Sequence, residues 1–249
     1  VFAPIRWLIL ALQFATILPT PSVRTATERD IRCSVVWFPV IGMLLGVLLW
    51  VFQSFFVHHM PSLAASVVSL SIYTLATGAL HLDGLMDTAD AMGSRRPREA
   101  ALEIMKDSRV GAMGVVVCLF AILGKWSAIA SISPDHWEPF VVVPMMSRLG
   151  MIWSMVVAPS ARSQGLGALF ARKIPRWTVA VATCLCGAVC GLVLPFQQCL
   201  WVLLYAILTV TLFTGWMVHR FGGTTGDTYG ALNEIMEWVG WYVFLCASA

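Results

Sequence analysis

The sequence predicts an all-α fold, a polytopic transmembrane helical bundle, and three observations carry that prediction. Apolar residues make up 59% of the chain and charged residues only 12%, with a mean hydropathy of +0.81, far above that of a soluble domain. Apolar runs of about 20 residues recur with almost no charge, whereas a soluble core alternates with polar faces. Basic residues gather in a few connections that alternate with connections holding none. No linker, low-complexity stretch or internal repeat divides the chain, so residues 1–249 read as one integral membrane domain.

The first apolar run, 7–18, is too short to span. No small-x-small cleavage site follows it, so it reads as a short re-entrant or interfacial helix ended by Pro19 and Pro21. Runs at 33–57, 61–80, 110–133, 139–158, 176–195 and 198–218 are each long enough to cross about 30 Å of hydrocarbon at about 1.5 Å per residue. A seventh run, 231–249, is shorter and carries Glu234 and Glu237, so the expectation is six to seven spans. Gly42/Gly46 and Gly187/Gly191 have the GxxxG spacing that lets helix backbones approach closely in lipid. Trp37, Trp50, Trp137, Trp177, Trp201 and Trp216 lie near span ends, where an indole prefers the headgroup region.

Segments 19–32, 81–109, 159–176 and 219–230 hold Arg24, Arg29, Arg32, Arg95, Arg96, Arg98, Lys106, Arg109, Arg162, Arg172, Lys173, Arg176 and Arg220. The connections 58–61, 133–138 and 196–198 hold no Lys or Arg. Six spans then satisfy the positive-inside rule, and the basic side is expected to be cytoplasmic. The net charge of +3 comes from these short loops and not from one basic stripe, so nucleic-acid binding gains no support. Of the seven cysteines, Cys118, Cys184, Cys186, Cys190 and Cys199 fall in or beside apolar runs and no CxxC pair exists, which points to inert packing.

The chain has 13 acids, and the notable ones group as Asp83, Asp87 and Asp90, then Glu103 and Asp107, then Asp227, Glu234 and Glu237, all assigned to the cytoplasmic side. At about 100° per residue, positions 83, 87 and 90 lie within about 60° of one another on a helix. Like charges so placed repel, so a cation should stand opposite them, and hard oxygen ligands suit Mg²⁺, Mn²⁺ or Ca²⁺. The plain alternative, solvation of a helix end, is disfavoured because these aspartates are interleaved with Leu85, Met86, Ala89 and Met92. Glu103 and Asp107 repeat the i,i+4 geometry, although Lys106 and Arg109 nearby also allow an ordinary ion-paired helix. The glycine- and threonine-rich stretch 222–227 could turn backbone N–H groups toward an anion, but short Gly-rich loops are common between helices.

Two cations sit inside spans, where a charge must be paired or wet. Arg148, near the middle of its run, is a candidate either for reaching an anionic substrate or for pairing with an acid on a neighbouring helix. Lys125 is expected to snorkel toward the outer interface. His81 points away from the aspartate stripe and reads as structural, and His58 and His59 as loop residues.

The stretches 78–90 (GALHLDGLMDTAD) and 103–112 (EIMKDSRVGA) together closely resemble the cobalamin synthase family, whose members are adenosylcobinamide-GDP ribazoletransferases. The likeness extends to 14–21 (FATILPTP), to 162–167 (RSQGLG) and to 222–231 (GGTTGDTYGA) with Glu234 and Glu237, so it covers nearly the whole chain. Met86 and Ala91 stand where smaller residues are expected, and neither replaces a candidate ligand. The resemblance implies a multi-pass enzyme of the bacterial inner membrane, dependent on Mg²⁺, with its active site facing the cytoplasm. Its substrates would be adenosylcobinamide-GDP and α-ribazole or α-ribazole 5′-phosphate. The 3′-hydroxyl would attack the phosphorus on the cobinamide side and GMP would leave, in the last stage of vitamin B12 assembly. Such phosphoryl transfer needs charge neutralisation and an oriented hydroxyl more than covalent catalysis.

On that reading Asp83 and Asp87 coordinate Mg²⁺, with Asp227 or the Glu103/Asp107 pair completing the site. Asp90 is the general base beside Asp87, by analogy with CDP-alcohol phosphotransferases. Lys106, Arg109, Arg148, Arg162 and Arg220 are the candidates for holding phosphate. A CDP-alcohol-type membrane phosphotransferase would share the metal logic but should show its own aspartate and glycine spacing, which is missing here. A cation or substrate transporter would place ionisable residues near the bilayer midplane and often betrays repeats. The lipid bilayer is a partner on any reading, and association into a homo-oligomer is left open.

Overall fold

A computed structural model describes residues 2–23, 25–171 and 173–247, with the side chain of Leu166 left aside, so Arg24 and Arg172 of the orienting arginines lie outside the described residues, as do the last two positions of the 231–249 run. Helix α1 (Ala3–Ala15) is apolar and too short to cross. It stops four residues before Pro19, where Thr16 turns extended and the Ile17 N–H bonds to the Ala76 carbonyl at 3.0 Å, so a tertiary contact and not the prolines ends it. Helix α2 (Glu28–Ser34) opens with a capping box between Thr27 and Asp30. Asp30 also accepts from Trp7 Nε1 and pairs with Arg6, both at 2.9 Å, which pins α1 to α2. A 3₁₀ turn (Val35–Trp37) leads into α3 (Phe38–Val57).

Helix α4 (Ser62–Ala76) ends short of the expected 61–80 span, because Gly78 (φ 60°) and Ala79 (φ 55°) take left-handed conformations there. The chain bends by 87° out of the line of α4 into α5 (Leu80–Gly93). Then follow α6 (Arg98–Ile104), α7 (Ala112–Ser131), α8 (Glu138–Val157), α9 (Leu166–Phe170), α10 (Arg176–Val193), α11 (Phe196–Phe221) and α12 (Gly226–Ala247). Among the described residues there is no strand, only a single bridge between Ser160 and Thr224.

Five helical segments, Glu28–Val57, α7, α8, α10 and α11, are long and apolar enough to cross a membrane, and α4 with α5 makes a sixth if the bent pair counts as one. These agree with the expected multi-pass helical bundle. Helix α12 is 22 residues long but falls outside that set. It packs against α5, α7, α8 and α11, and its two glutamates are buried.

Helix α8 is buried around nearly its whole circumference, and α3 lies closely against it. Gly42 and Gly46 make that approach possible: a Cβ on Gly46 would stand 1.9 Å from the Phe140 carbonyl, and one on Gly42 2.2 Å from that of Pro144. Pro144 has no N–H, so the Phe140 carbonyl lacks its usual helical donor exactly where Gly46 meets it. Nothing lies within 4 Å of where a Cβ on Gly187 or Gly191 would stand, so that GxxxG spacing makes no helix contact. The outward faces of α10 and α11 instead expose Val181, Leu192, Leu208 and Leu212, as a lipid-facing surface does.

Inside the bundle lies a charge cluster drawn from four helices. Lys125 Nζ reaches Glu234 Oε2 and, at 3.1 Å, Glu237 Oε2, while Arg148 Nη1 and the Tyr73 hydroxyl both donate to Glu237 Oε1. Two cations thus meet two anions, all nearly inaccessible. Three expectations are corrected. Lys125 does not snorkel but is 2% exposed and paired; Arg148 follows its second reading, pairing with an acid and not facing a substrate; and Glu234 and Glu237 belong to the interior, not to the surface acids. The physical reason is common to all: a charge held in an apolar interior needs an opposite charge beside it.

Candidate active site

Helix α5 carries the aspartate stripe across the first turns of α12, and glycines set the crossing distance. A Cβ on Gly84 would come within 2.7 Å of the Asp227 carbonyl, and one on Gly230 within 3.2 Å of the His81 backbone. His81 and Asn233 bond across the same contact at 3.2 Å, so this histidine is structural. Gly84 lies between Asp83 and Asp87, and its missing side chain is what brings Asp227 opposite them.

The carboxylates differ sharply in what they already hold. Asp83 is exposed and Asp87 half-buried, and neither side chain makes a hydrogen bond or ion pair among the described residues. Burial, and then the charges of Asp83, Asp227 and Asp90, push the Asp87 carboxyl up to about 6, while Arg162 pulls the other way. Negative charge therefore accumulates here without a full set of protein partners.

Asp90, expected as general base, has both oxygens occupied: it accepts from the N–H groups of Gly111 and Gly114 at 2.7 Å each. It thus caps the N-terminus of α7, where orphan donors and the helix dipole favour an anion. Both glycines are needed, since a Cβ on either would stand within 2.5 Å of the carboxylate. Asp90→Ala is expected to cost about 1–2 kcal/mol by loss of this cap, read as a lower melting temperature in detergent. An unchanged melting temperature would show that the cap contributes nothing.

Glu103 and Asp107, expected beside the metal, are tied up at the surface of the α6–α7 connection. Glu103 pairs with Lys106 at 2.7 Å, and Asp107 takes Arg109 in a fork with contacts of 2.6–3.1 Å. Those bonds hold the Glu103 and Asp107 carboxyls below the ordinary range, Asp107 to about 2. Lys106 and Arg109 spend their charge on these neighbours, and Arg109 is largely in solvent. Arg220 donates to the Arg96 carbonyl at 2.6 Å, and Arg98 lies over Gly222. Among the described residues no three Asp, Glu, His or Cys side chains converge to hold a metal ion by themselves. Two unpaired carboxylates one turn apart nevertheless fit Mg²⁺, which is commonly held by one or two carboxylates with water and substrate phosphates supplying the rest.

Asp227 and Arg162 meet beside the stripe. Arg162 Nη1 donates to Asp227 Oδ2 at 3.2 Å and Nη2 to the Leu102 carbonyl at 3.1 Å. They border a small cavity of about 150 Å³ between the 160–167 loop and the start of α12, whose walls include Ser160, Gln164 and Thr225. Gly167 lets the loop close on α12, since a Cβ there would meet Thr225 Cα at 3.0 Å. Nothing in charge or spacing marks Ser160, Gln164 or Thr225 individually in the sequence. They sit in or beside the 162–167 and 222–231 stretches, which stood out through the resemblance and not through any charge or periodicity.

Fold and site together define a multi-pass helical membrane protein with a carboxylate- and arginine-lined site at one end of its bundle. Comparison with known proteins gives the family. The model of the family described as cobalamin-5-phosphate synthase matches residues 7–245. A protein of Geotalea daltonii named adenosylcobinamide-GDP ribazoletransferase is 37% identical over 235 residues, 94% of each chain. Proteins of the same name from Pseudomonas entomophila (37% identity, covering 92% of this chain and 93% of that one) and Brevibacillus brevis (36%, 91% and 92%) are similarly related. No solved structure matches. The chain belongs to the cobalamin-5-phosphate synthase family and is a transferase of the cobalamin biosynthetic class.

Proposed function

We propose that the protein transfers the adenosylcobinamide-phosphate group from adenosylcobinamide-GDP to the 3′-hydroxyl of α-ribazole or α-ribazole 5′-phosphate, with release of GMP. The single observation that carries this reading is the pair of unpartnered carboxylates, Asp83 and Asp87, facing the Asp227–Arg162 pair across the α5–α12 crossing. The names of the relatives supply the substrates. Asp83 and Asp87 are the residues that would hold Mg²⁺, and the ion would neutralise charge on the diphosphate as the P–O bond is exchanged.

The remaining work falls to the chain's own groups. Arg162 is suited to bidentate contact with a phosphate, and Arg220 adds positive charge at the same end of the bundle. The close α5–α12 crossing fixes the acids relative to the loop that carries Arg162, so the donor is positioned before reaction. The protein would lie in the bacterial inner membrane with its basic end, and this site, in the cytoplasm, following the distribution of Lys and Arg among its connections.

Purified protein in detergent, given adenosylcobinamide-GDP and α-ribazole, is expected to release GMP and form a cobalamin only when Mg²⁺ is present. Turnover without a sealed compartment also separates an enzyme from a transporter. Folded protein that releases no GMP from this pair, or from α-ribazole 5′-phosphate in its place, would reject the reaction.

A further inference from the structure

We propose that Asp227 is the general base of the transfer, taking the proton from a ribose hydroxyl of the nucleoside acceptor seated in the cavity between the 160–167 loop and the start of α12. This rests on the reaction proposed above and assigns within it a role that Asp90 does not fill. The other candidate acids of the stripe and of the α6–α7 connection have different work. Asp90 spends both oxygens on α7 backbone donors, and Glu103 and Asp107 are ion-paired at the surface. Asp83 and Asp87 stand ready for a cation.

Asp227 is placed differently. Only its Oδ2 is engaged, by Arg162 at 3.2 Å and by the Thr225 hydroxyl at 3.3 Å, while Oδ1 has no partner among the described residues. Its side chain is 26% exposed, so the free oxygen is reachable, and Asp227 itself lines the cavity. A base held in orientation by a third group is the arrangement that proton abstraction requires, and Arg162 is that group. At about 150 Å³ the cavity is below the size of a pocket for a whole ligand, so it suits one part of the acceptor. The Ser160 and Thr225 hydroxyls in its walls already bond within the protein, which leaves the Gln164 amide as a donor and acceptor for a sugar, and the polar lining offers no apolar face for a base.

Unlike Asp83 and Asp87, Asp227 already carries a guanidinium, which sets it apart from the two unpartnered carboxylates. In the proposed step the hydroxyl proton passes to Asp227 Oδ1 as the oxygen–phosphorus bond to cobinamide phosphate forms. The bond from that phosphorus to the GMP oxygen breaks, and GMP leaves with the electron pair. The proton returns to water when product departs.

The test is a split between turnover and metal affinity. Asp227→Asn is expected to lower kcat by roughly 10²–10⁴-fold, the usual contribution of a general base, with half-saturating Mg²⁺ within about threefold of wild type. Asp87→Asn, measured beside it, should instead raise half-saturating Mg²⁺. Should Asp227→Asn fail to fold, Asp227→Glu keeps the charge opposite Arg162 and should show a loss of at least about tenfold in kcat with the same unchanged metal response. The proposal is overturned if the folded variant keeps kcat within tenfold of wild type, or if saturating Mg²⁺ restores it, which would make Asp227 a ligand. Wild-type protein that releases no GMP would defeat the underlying reaction, whereas wild-type turnover with an active Asp227→Asn defeats this assignment alone.

Discussion

Asp83→Asn and Asp87→Asn, made separately, are each expected to lower GMP release by at least roughly 10²-fold at limiting Mg²⁺ and to raise half-saturating Mg²⁺ by about 10–100-fold. The expectation comes from what these side chains lack. In the folded chain neither has a hydrogen bond or ion pair among the described residues, so their removal breaks no internal contact and should leave the fold intact. Relieving like-charge crowding around Asp87 should if anything steady the apo protein, since Asp83, Asp227 and Asp90 all raise the cost of its charge. Loss of activity with unchanged or higher thermal stability is therefore the signature of a metal-holding pair. Near-normal turnover of both variants at limiting Mg²⁺ would remove the stripe from the site.

Much of this arrangement could be read from the chain before any coordinates. The number and placement of apolar runs followed from length and hydropathy alone, because a crossing helix needs little else. The i,i+4 spacing of Asp83 and Asp87 is enough to put them on one face, and the GxxxG spacing of Gly42 and Gly46 does mark a close helix contact. Local pattern failed wherever a distant partner decided the outcome. Gly187 and Gly191 have the same spacing as Gly42 and Gly46 but meet no helix. Asp90 continues the stripe in register, yet its partners are backbone donors at Gly111 and Gly114, which no periodicity reveals. The 87° turn after α4 was masked because an apolar run carries no sign of direction, although Gly78 marked where it falls.

The buried charges show the same limit most clearly. Lys125 and Glu234 are 109 positions apart in the chain, and Arg148 and Glu237 are 89 apart. A carboxylate beside an apolar run reads as a surface group until its cation is found on another helix. Their pairing also explains why α12 lies among α5, α7, α8 and α11 although it falls outside the set of apolar crossing helices. The cluster and the site share α12: Asp227 stands at its start, and Glu234 and Glu237 two to three turns further on.

Glu237 is the hub of that cluster, and Glu237→Ala should be among the most destabilising single changes in the chain. Its two oxygens receive Lys125, Arg148 and the Tyr73 hydroxyl, joining α4, α7 and α8 to α12. Truncation leaves two buried cations facing Glu234 alone, and a broken buried pair costs about 3–5 kcal/mol because the remaining charge is uncompensated. For a chain of this size that corresponds to a fall of about 10 °C in melting temperature, measurable by thermal unfolding in detergent. The pairing account makes a further demand: Arg148→Met combined with Glu237→Gln removes the stranded guanidinium and leaves Lys125 paired with Glu234, so the double variant should melt well above Glu237→Ala. If Glu237→Ala melts within about 2 °C of wild type, water or lipid headgroups must already solvate these charges, and the cluster cannot be what holds α12 in place. If the single variant falls and the double does not recover, the loss lies in the geometry of the Tyr73 and Arg148 hydrogen bonds and not in charge balance.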